Sequence, residues 1–183
     1  MSEDTKPAYS PGLAGVVAGE TEICWVDPNA GLMYRGYDIH EMAEKANFEE
    51  VAYLLLNGEL PTVAQRQEFS QALGAERSLP KEVLEMLRLM PKNTHPMDML
   101  RTGVSMLAPF DPDLNDHSHD ANIRKAIRLI AKVSTLIADG YRIQQGENPL
   151  PERPELTLAG NLFYKLSGEV PQDWKIRMMD TIF

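Results

Sequence analysis

The side chains best suited to acid–base chemistry or metal binding are four histidines, because imidazole changes its charge near neutral pH: His40, His95, His117 and His119. His40 stands at the start of a predicted helix. His95 precedes Pro96, which disfavours helical backbone geometry at the histidine. For both we predict a structural position at a helix entrance and no catalysis.

The segment richest in possible metal ligands is the stretch from Asp111 to Asp120, which reads DPDLNDHSHD. It imitates a calcium loop in its first, third and fifth positions, but the sixth position is Asp116 in place of Gly and the twelfth is Asn122 in place of Glu. Zinc sites usually need neighbouring ligands at fixed spacing, and a chain with one cysteine has no Cys pair to supply them. We predict a solvated loop that ends in a helix cap, with no metal; a metal- or ligand-binding domain built on this loop is the weakest hypothesis.

The other candidate groups indicate packing. Cys24 has no histidine near it in the sequence, so we interpret it as a small strand residue. Glu49 and Glu50 form a carboxylate pair on a helix flank, where solvation explains them. The glycines from Gly12 to Gly19 lack the preceding strand and the lysine of a phosphate-binding loop. The residues therefore predict no catalytic group and no cofactor site.

The composition is that of a globular chain, with 43% hydrophobic and 25% charged residues among 183. A net charge of −9 would repel a phosphate backbone, so we predict no nucleic-acid partner. No apolar run approaches the roughly 20 residues that cross a bilayer, and the start MSEDTK lacks the pattern of a secretory signal. With a single cysteine, a reducing compartment is the simplest setting. We predict a cytoplasmic protein without membrane association.

The elements that position these groups are predicted to be mainly helices. Residues 21–34 have the pattern of a short β-hairpin, with turn residues from Asp27 to Gly31. After Asp38 the pattern is helical and is interrupted by Gly and Pro. The first ten residues are polar and expected to be loose. The fold class is therefore all-α, with a short N-terminal β-hairpin.

Several helix ends are marked locally. Gly58 stops the helix that begins near Phe48, Thr62 and Gln65 form a capping box for the next one, and Pro96 opens another. Further helices are predicted over 81–90, over about 120–145, after the Pro-rich linker 149–154, and after Pro171. On the long helix we expect the basic residues to remain in water: Arg124, Lys125, Arg128 and Lys132.

The helix after His95 carries apolar residues at spacings of three, four and three, which is the pattern of a seam for a neighbouring helix. They are Met97, Leu100, Val104 and Leu107.

Six strings carry a resemblance to a known family and occur in that family's order. They are Tyr9–Val16 followed by Glu20 and Thr21, Tyr34–Ile39 (YRGYDI), Phe48–Pro61 (FEEVAYLLLNGELP), His95–Asp98 with Leu100–Thr102, Asn122–Ala126, and Ala159–Tyr164. From Tyr9 to Phe183 the chain resembles the citrate synthase family, which includes the 2-methylcitrate synthases.

The resemblance implies a mostly helical large domain and a homodimeric enzyme of the tricarboxylic acid cycle. The reaction that it implies joins acetyl-CoA or propionyl-CoA to oxaloacetate and gives citrate or 2-methylcitrate and CoA. The implied mechanism uses a histidine and an aspartate on the acetyl methyl group, with histidine and arginine side chains on oxaloacetate, and needs no metal or other cofactor.

The family's catalytic motifs are a His-rich helix end, a Gly–His-rich loop and an Asp segment, and none occurs in this sequence. The first is expected within a few residues after Phe183, so the resemblance places no catalytic residue in this chain. Arg35 and Arg101 match family positions, and we interpret both as structural ion-pair or capping residues.

The last predicted helix runs to Phe183 without a stop signal, whereas natural domains seldom end in the middle of an apolar pattern. We therefore expect residues 21–183 to be the N-terminal part of the family's large domain, truncated before the catalytic motifs. Residues 1–20 would form an N-terminal segment. The chain alone is expected to be inactive.

By the same resemblance, helices near 96–108, 120–145 and 171–183 are expected to contribute to a homodimer contact. The predicted interface residues are Met97, Leu100, Val104, Leu107, Ile127 and Ile130. The alternative to a synthase part is a stand-alone helical dimerisation module without catalysis, which the seam would serve.

Overall fold

The computed structural model describes residues 12, 16–17, 19–29 and 31–183. The expectation that the first ten residues are loose lies outside this part of the chain. The described residues begin with a small antiparallel sheet and continue as helices, as the sequence predicts.

The sheet is a meander of three short strands in the order β1 (Cys24–Asp27), β2 (Gly31–Tyr34) and β3 (Tyr37–Asp38). Strands β1 and β2 form the predicted hairpin, in which Cys24 pairs with Tyr34 and Asp27 with Gly31. The third strand was not predicted, because a strand of two residues leaves no alternation to read.

Eight α-helices occur in the described part of the chain. They are α1 (Ile39–Lys45), α2 (Phe48–Asn57), α3 (Val63–Ala75), α4 (Lys81–Leu89), α5 (Pro96–Leu107), α6 (His119–Gln144), α7 (Leu158–Ser167) and α8 (Asp173–Ile182). One turn of 3-10 helix, Ala108–Phe110, follows α5.

The predicted helix ends are confirmed. At the end of α2, Gly58 adopts a left-handed φ of 90° and donates its N–H to the Leu54 carbonyl. The capping box of Thr62 and Gln65 begins α3. At the start of α5 the Nδ1 atom of His95 accepts a hydrogen bond of 3.2 Å from the Met97 N–H, so this histidine is a helix cap.

Two apolar clusters form the core, and both use the long helix α6. The first joins α2, α3, α6 and α7 through Ala52, Phe69, Leu73, Ala131 and Leu158. The second joins α4, α5 and α6 through Val83, Leu87, Met99, Leu107 and Leu136. Helix α6 is therefore the helix that the two clusters share.

Helices α5 and α6 approach each other over glycine. A Cβ atom added at Gly103 would lie 2.8 Å from Cδ2 of Leu136, and one added at Gly140 would lie 2.3 Å from Cε of Met99. Any side chain at these positions would require Leu136 or Met99 to shift, so the two helices pack closely here over the glycines.

This contact also corrects the seam predicted on α5. The buried side of α5 consists of Met99, Gly103 and Leu107, whereas Met97 is 63% exposed. Leu100 and Val104 are partly buried and pack against the second cluster. The spacing correctly predicted a helix with one apolar side, but the helix is turned so that Met97 faces away from the core.

Among the described residues, no helix is both long and apolar enough to span a bilayer.

Candidate functional site

The acidic loop before α6 is folded back onto that helix by two arginines. Arg128 contacts Asp111 through two hydrogen bonds of 2.7 and 3.0 Å, and Arg124 contacts Asp113 through two of 2.6 and 3.0 Å. Burial by itself would raise the pKa of Asp111, but the hydrogen bonds from Arg128 and from the Asp113 N–H, together with the positive charge of Arg128, hold that pKa below its ordinary value. The hydrogen bonds from Arg124 and Arg128 also lower the pKa of Asp113.

These arginines occupy the carboxylates that a metal would need. In the part of the chain that the structure describes, no group of three or more His, Cys, Asp or Glu side chains is arranged to hold a metal ion. The expectation that Arg128 and Lys132 stay in water is wrong. The Arg128 side chain is only 13% exposed, and Lys132, 16% exposed, contacts the Glu76 carboxylate at 2.8 Å.

The histidines occupy separate places. His40 is exposed on α1, where its backbone N–H donates to the Asp38 carboxylate that caps the helix. His117 is exposed in the acidic loop, and His119 is exposed at the first turn of α6. Cys24 is a free, exposed thiol in β1. These candidates therefore lie on different elements: α1, the acidic loop, the start of α6, and β1.

Arg35 has a structural position, as predicted. It lies in the turn between β2 and β3 with a φ of 49°. Its guanidinium contacts the Glu22 carboxylate at 3.4 Å and donates to the Leu55 carbonyl at 3.2 Å, which ties the sheet to α2. Arg101 likewise forms an ion pair at 3.0 Å, with Asp98, on the exposed side of α5.

A polar cleft lies beside Arg35, between the sheet, the end of α2 and the start of α6. Its volume is about 520 Å³, and its polar lining residues are Glu22, Arg35, Asn57, Glu59 and His119. Both acidic and basic side chains line the cleft, so it has no cluster of charges of one sign.

Glu49 is the most important residue that the sequence reading placed wrongly. It is 3% exposed and lies between α2, α3 and the start of α7. One carboxylate oxygen accepts a 2.9 Å hydrogen bond from the Leu158 N–H and lies 4.0 Å from Arg77, which is itself buried. The other accepts a short hydrogen bond from the Ser70 hydroxyl. Because both oxygens are engaged by a donor or a cation, this carboxylate is a packing element and not a free base.

A second buried ionic group, which we name the Lys165 cluster, consists of Lys165, Asp139, Glu152 and Asn161. The Lys165 ammonium, 2% exposed, lies 3.0 Å from the Asp139 carboxylate and contacts Glu152. Asn161 donates a 2.7 Å hydrogen bond to the other oxygen of Glu152. Burial raises the pKa of Asp139, and the nearby ammonium opposes that rise.

The Lys165 cluster attaches the Pro-rich linker to α6 and α7. It was not predicted, although one signal was present: Lys165 is the one charged residue in the apolar string AGNLFYKL of α7. A lone lysine inside an apolar helix is rarely buried without a partner, so an acidic partner was to be expected, but its position was not.

An apolar groove, which we name the α6 groove, lies along α6. Its volume is about 410 Å³, and its lining residues are Phe48, Leu129, Ile130, Val133, Ser134, Ile137, Leu158 and Phe183. A second cavity of about 460 Å³ adjoins it and shares Phe48, Ile130 and Phe183. The rings of Phe48 and Phe183 meet edge to face, with centroids 5.2 Å apart, between the two cavities.

The six predicted interface residues lie in different environments. Leu107 belongs to the second core cluster, and Leu100 and Val104 pack against it. Ile127 and Ile130 pack against the first cluster. Met97, at 63%, is the one of the six that is exposed. Their role in a subunit contact stays a prediction.

Comparison with known proteins identifies the family of this chain. The family model described as "Citrate synthase, C-terminal domain" matches residues 12–183. The chain belongs to the citrate synthase family. The fold agrees with this: the crystal structure of citrate synthase from Thermotoga maritima, which is 36% identical, has a TM-score of 0.81 over 93% of the chain.

Curated relatives carry two related names. A citrate synthase from Heyndrickxia coagulans is 35% identical over 94% of this citrate synthase-family chain, and a 2-methylcitrate synthase from Mycobacterium tuberculosis is 41% identical over 92% of it. The match covers 46% and 43% of those two relatives and 44% of the Thermotoga chain, so this chain spans about half of their length.

The matched region is described as a C-terminal domain, whereas the motifs led us to expect the N-terminal part of a synthase. The position of this chain within a longer citrate synthase therefore stays a prediction.

Proposed function

We propose that this chain is the N-terminal helical part of a citrate synthase-type acyltransferase. The whole enzyme joins acetyl-CoA or propionyl-CoA to oxaloacetate and releases citrate or 2-methylcitrate together with CoA. The observation that carries the proposal is the family match through residues 12–183, with relatives that are named for both reactions.

In this proposal the chain is a scaffold, and the reacting groups come from the other part of the enzyme. Removing a proton from the acyl methyl group needs a positioned base and a donor that polarises the thioester carbonyl. The buried carboxylates of the described residues are already engaged, Glu49 by Arg77 and Asp139 by Lys165. The described histidines are exposed, and His95 is used as a helix cap. We therefore expect no turnover from the chain alone.

The whole enzyme is proposed to be a cytoplasmic homodimer in which α5 and α6 take part in the subunit contact. Met97 offers the clearest test of that contact, because it is 63% exposed and its removal leaves both core clusters intact. Sedimentation should show a higher dimer dissociation constant for Met97→Asp. Leu89→Asp, at an 86% exposed position of α4, should leave that constant unchanged. Equal dimer dissociation constants for the two variants would contradict the prediction that α5 takes part in the interface.

The activity is tested by completing the enzyme. A chimera that carries this chain in place of the matching part of the Thermotoga maritima citrate synthase is assayed for release of free CoA thiol, in parallel with the chain alone. We expect activity from the chimera and none from the chain. The two acyl donors differ by one methylene, which a pocket distinguishes by about 1–3 kcal/mol, so their ratio of kcat/KM identifies the preferred one.

CoA release by the chain alone would contradict the scaffold role. A chimera that unfolds cooperatively, and so is folded, yet releases no CoA with either donor would contradict the synthase assignment. In that case the alternative of a dimerisation module without catalysis becomes the better proposal, since the exposed Met97 and the open α6 groove would both serve association.

A further inference from the structure

We propose that Asn57 is a site of spontaneous deamidation and that the cap at the end of α2 controls how fast the reaction runs. The modification needs only water as a co-reactant, and it does not depend on the proposed function.

The chain contains one Asn–Gly pair, Asn57–Gly58. Both residues are exposed, and they lie where α2 ends. Deamidation begins when the backbone nitrogen of the following residue attacks the side-chain carbonyl carbon of asparagine. Glycine favours this attack, because without a Cβ atom its nitrogen is open to approach and its backbone turns freely. The sequence therefore places the most reactive kind of asparagine at a helix end.

The atoms of the reaction balance with water alone. A bond forms between the Gly58 nitrogen and the Cγ atom of Asn57, and the Gly58 N–H proton passes to solvent. The Nδ2 group of Asn57 takes up a proton from water and leaves as ammonia, so that a five-membered succinimide ring remains. One water molecule then opens the ring at either carbonyl and gives aspartate or isoaspartate at position 57.

Two hydrogen bonds within α2 oppose this attack in the folded chain. The Gly58 N–H donates to the Leu54 carbonyl at 2.8 Å, so the attacking nitrogen is already engaged in the left-handed cap. The Nδ2 group of Asn57 donates to the Tyr53 carbonyl at 3.0 Å, which holds the side-chain amide against the preceding turn. The reaction therefore requires the last turn of α2 to open, and its rate follows the fraction of molecules in which this turn is open.

The sheet contributes to the same closed state. Arg35, in the turn between β2 and β3, donates to the Leu55 carbonyl at 3.2 Å. This carbonyl is one of the last four of α2, which have no partner within the helix. Arg35 also lines the polar cleft together with Asn57 and Gly58. Removal of the guanidinium should therefore raise the fraction of molecules in which the last turn is open.

The products of deamidation weaken the end of α2. Aspartate at position 57 places a negative charge at the C-terminal end of the helix, where the helix dipole disfavours anions. It also removes the Nδ2 donor of the Tyr53 carbonyl. Isoaspartate lengthens the backbone by a methylene group before Gly58, which moves the Gly58 N–H away from the Leu54 carbonyl. The modified chain thus loses the cap that slowed the reaction.

Peptide mapping by mass spectrometry, after incubation at mildly alkaline pH, tests the proposal. The chain and the Thermotoga maritima chimera are each incubated in buffer and in urea, so each folded protein is compared with its own unfolded form. Asn93 is the internal control, because it is exposed and the next N–H, that of Thr94, also donates to a backbone carbonyl, at 2.9 Å. Thr94 differs from Gly58 in its β-branched side chain, which hinders the attack.

In urea we expect conversion of Asn57 while Asn93 remains intact. In buffer the conversion of Asn57 should be slower by about tenfold or more, because only the open fraction reacts. Equal conversion of Asn57 and Asn93 in urea would overturn the deamidation site. Equal rates at Asn57 in buffer and in urea would overturn its control by the cap. Both comparisons use the parent sequence, so they do not depend on the folding of any variant.

A pair of arginine variants tests the contribution of the sheet. Arg35→Met should raise the rate at Asn57 in buffer by about fivefold, which corresponds to the loss of one hydrogen bond, and should leave the rate in urea unchanged. Arg101→Met is the matched control, because its ion pair with Asp98 lies on α5, and it should change neither rate. Equal rates for the two variants in buffer would contradict the role of Arg35.

The effect of the product is tested with Asn57→Asp, which carries the side chain that deamidation creates. The equilibrium constant for unfolding in urea should rise by about threefold, because of the unfavourable charge at the helix end. An unchanged constant would contradict the weakening of the cap.

Discussion

Lys165→Met removes the ammonium group of the Lys165 cluster and keeps most of the side-chain stem. The ammonium lies 3.0 Å from the Asp139 carboxylate, and the two side chains are 2% and 4% exposed. At that distance and an effective dielectric constant near 20, their attraction is about 5 kcal/mol. Without Lys165 the Asp139 carboxylate stays buried without its cation, and loss of one partner of such a pair costs about 3–5 kcal/mol. Since domains unfold at a cost of about 5–15 kcal/mol, this loss should be large.

The assay is urea unfolding followed by far-ultraviolet circular dichroism, with the double variant Lys165→Met/Asp139→Asn as control. The double variant removes both charges and should recover roughly half of the loss, because Glu152 is 19% exposed and can reach water. A loss below about 1 kcal/mol for Lys165→Met, or no recovery in the double variant, would refute a coupled buried pair.

The pH response of Lys165→Met has a definite sign. Burial already raises the pKa of Asp139 above its ordinary 3.8, and without the opposing ammonium it rises further. A carboxyl group whose pKa is higher in the folded state than in the unfolded state binds extra protons on folding, so the folded state loses stability as pH rises between those two values. Acidification from pH 7 toward 4 should therefore restore stability to Lys165→Met and not to the double variant.

Four further variants test other contacts. Glu49→Ala leaves the buried Arg77 without its partner and should cost about 3–5 kcal/mol. Glu50→Ala removes half of the capping box that Asn47 and Glu50 form at the start of α2 and should cost about 1 kcal/mol. Equal losses in urea unfolding would contradict the buried position of Glu49. Gly58→Ala should cost about 1–2 kcal/mol because φ is 90° there, and an unchanged urea midpoint would contradict the left-handed cap. Arg128→Met should raise the pKa of Asp111 toward its ordinary 3.8, as followed by carbon NMR of the carboxyl. The lowered pKa of Asp111 stabilises the folded state only above that pKa. The free energy of unfolding should therefore be lower for Arg128→Met than for the parent chain above pH 3.8, and this difference should shrink below pH 3.8.

Local signals in the sequence were sufficient for the helices and their ends. The Gly58 stop, the capping box of Thr62 and Gln65, and the Pro96 start each involve groups within four residues of one another, and all three were predicted correctly. The backbone of a helix end is satisfied by its own neighbours, so the short sequence around it contains the necessary information.

Local sequence signals did not identify contacts between residues that are far apart in the chain. Periodicity places Glu49 on a helix flank, but its burial depends on Arg77 and on the Leu158 N–H, which is 109 residues away. The α5 seam was wrong only for Met97, and for a related reason: hydrophobic spacing gives no weight to Gly103, although that residue packs against Leu136 of α6.

The same difference between local and long-range signals applies to the candidate site. The family was recognised from ordered strings such as YRGYDI, and not from any arrangement of reactive groups. The Lys165 cluster and the α6 groove became visible only after the helices were placed together, because each is formed by residues from several elements.

The hydrogen bond between Glu49 and the Leu158 N–H has a consequence for biosynthesis. A ribosome adds about 5–20 residues each second, so the 109 residues between the two groups separate their appearance by about 5 to 20 seconds. During that interval helix α2 is already made, and Ser70 and Arg77 can contact the Glu49 carboxylate, but the Leu158 N–H does not yet exist. The first core cluster, which includes Leu158, is completed only when α7 has been synthesised. The N-terminal helices of the nascent chain are therefore open to chaperones and proteases until their partner from the other end arrives.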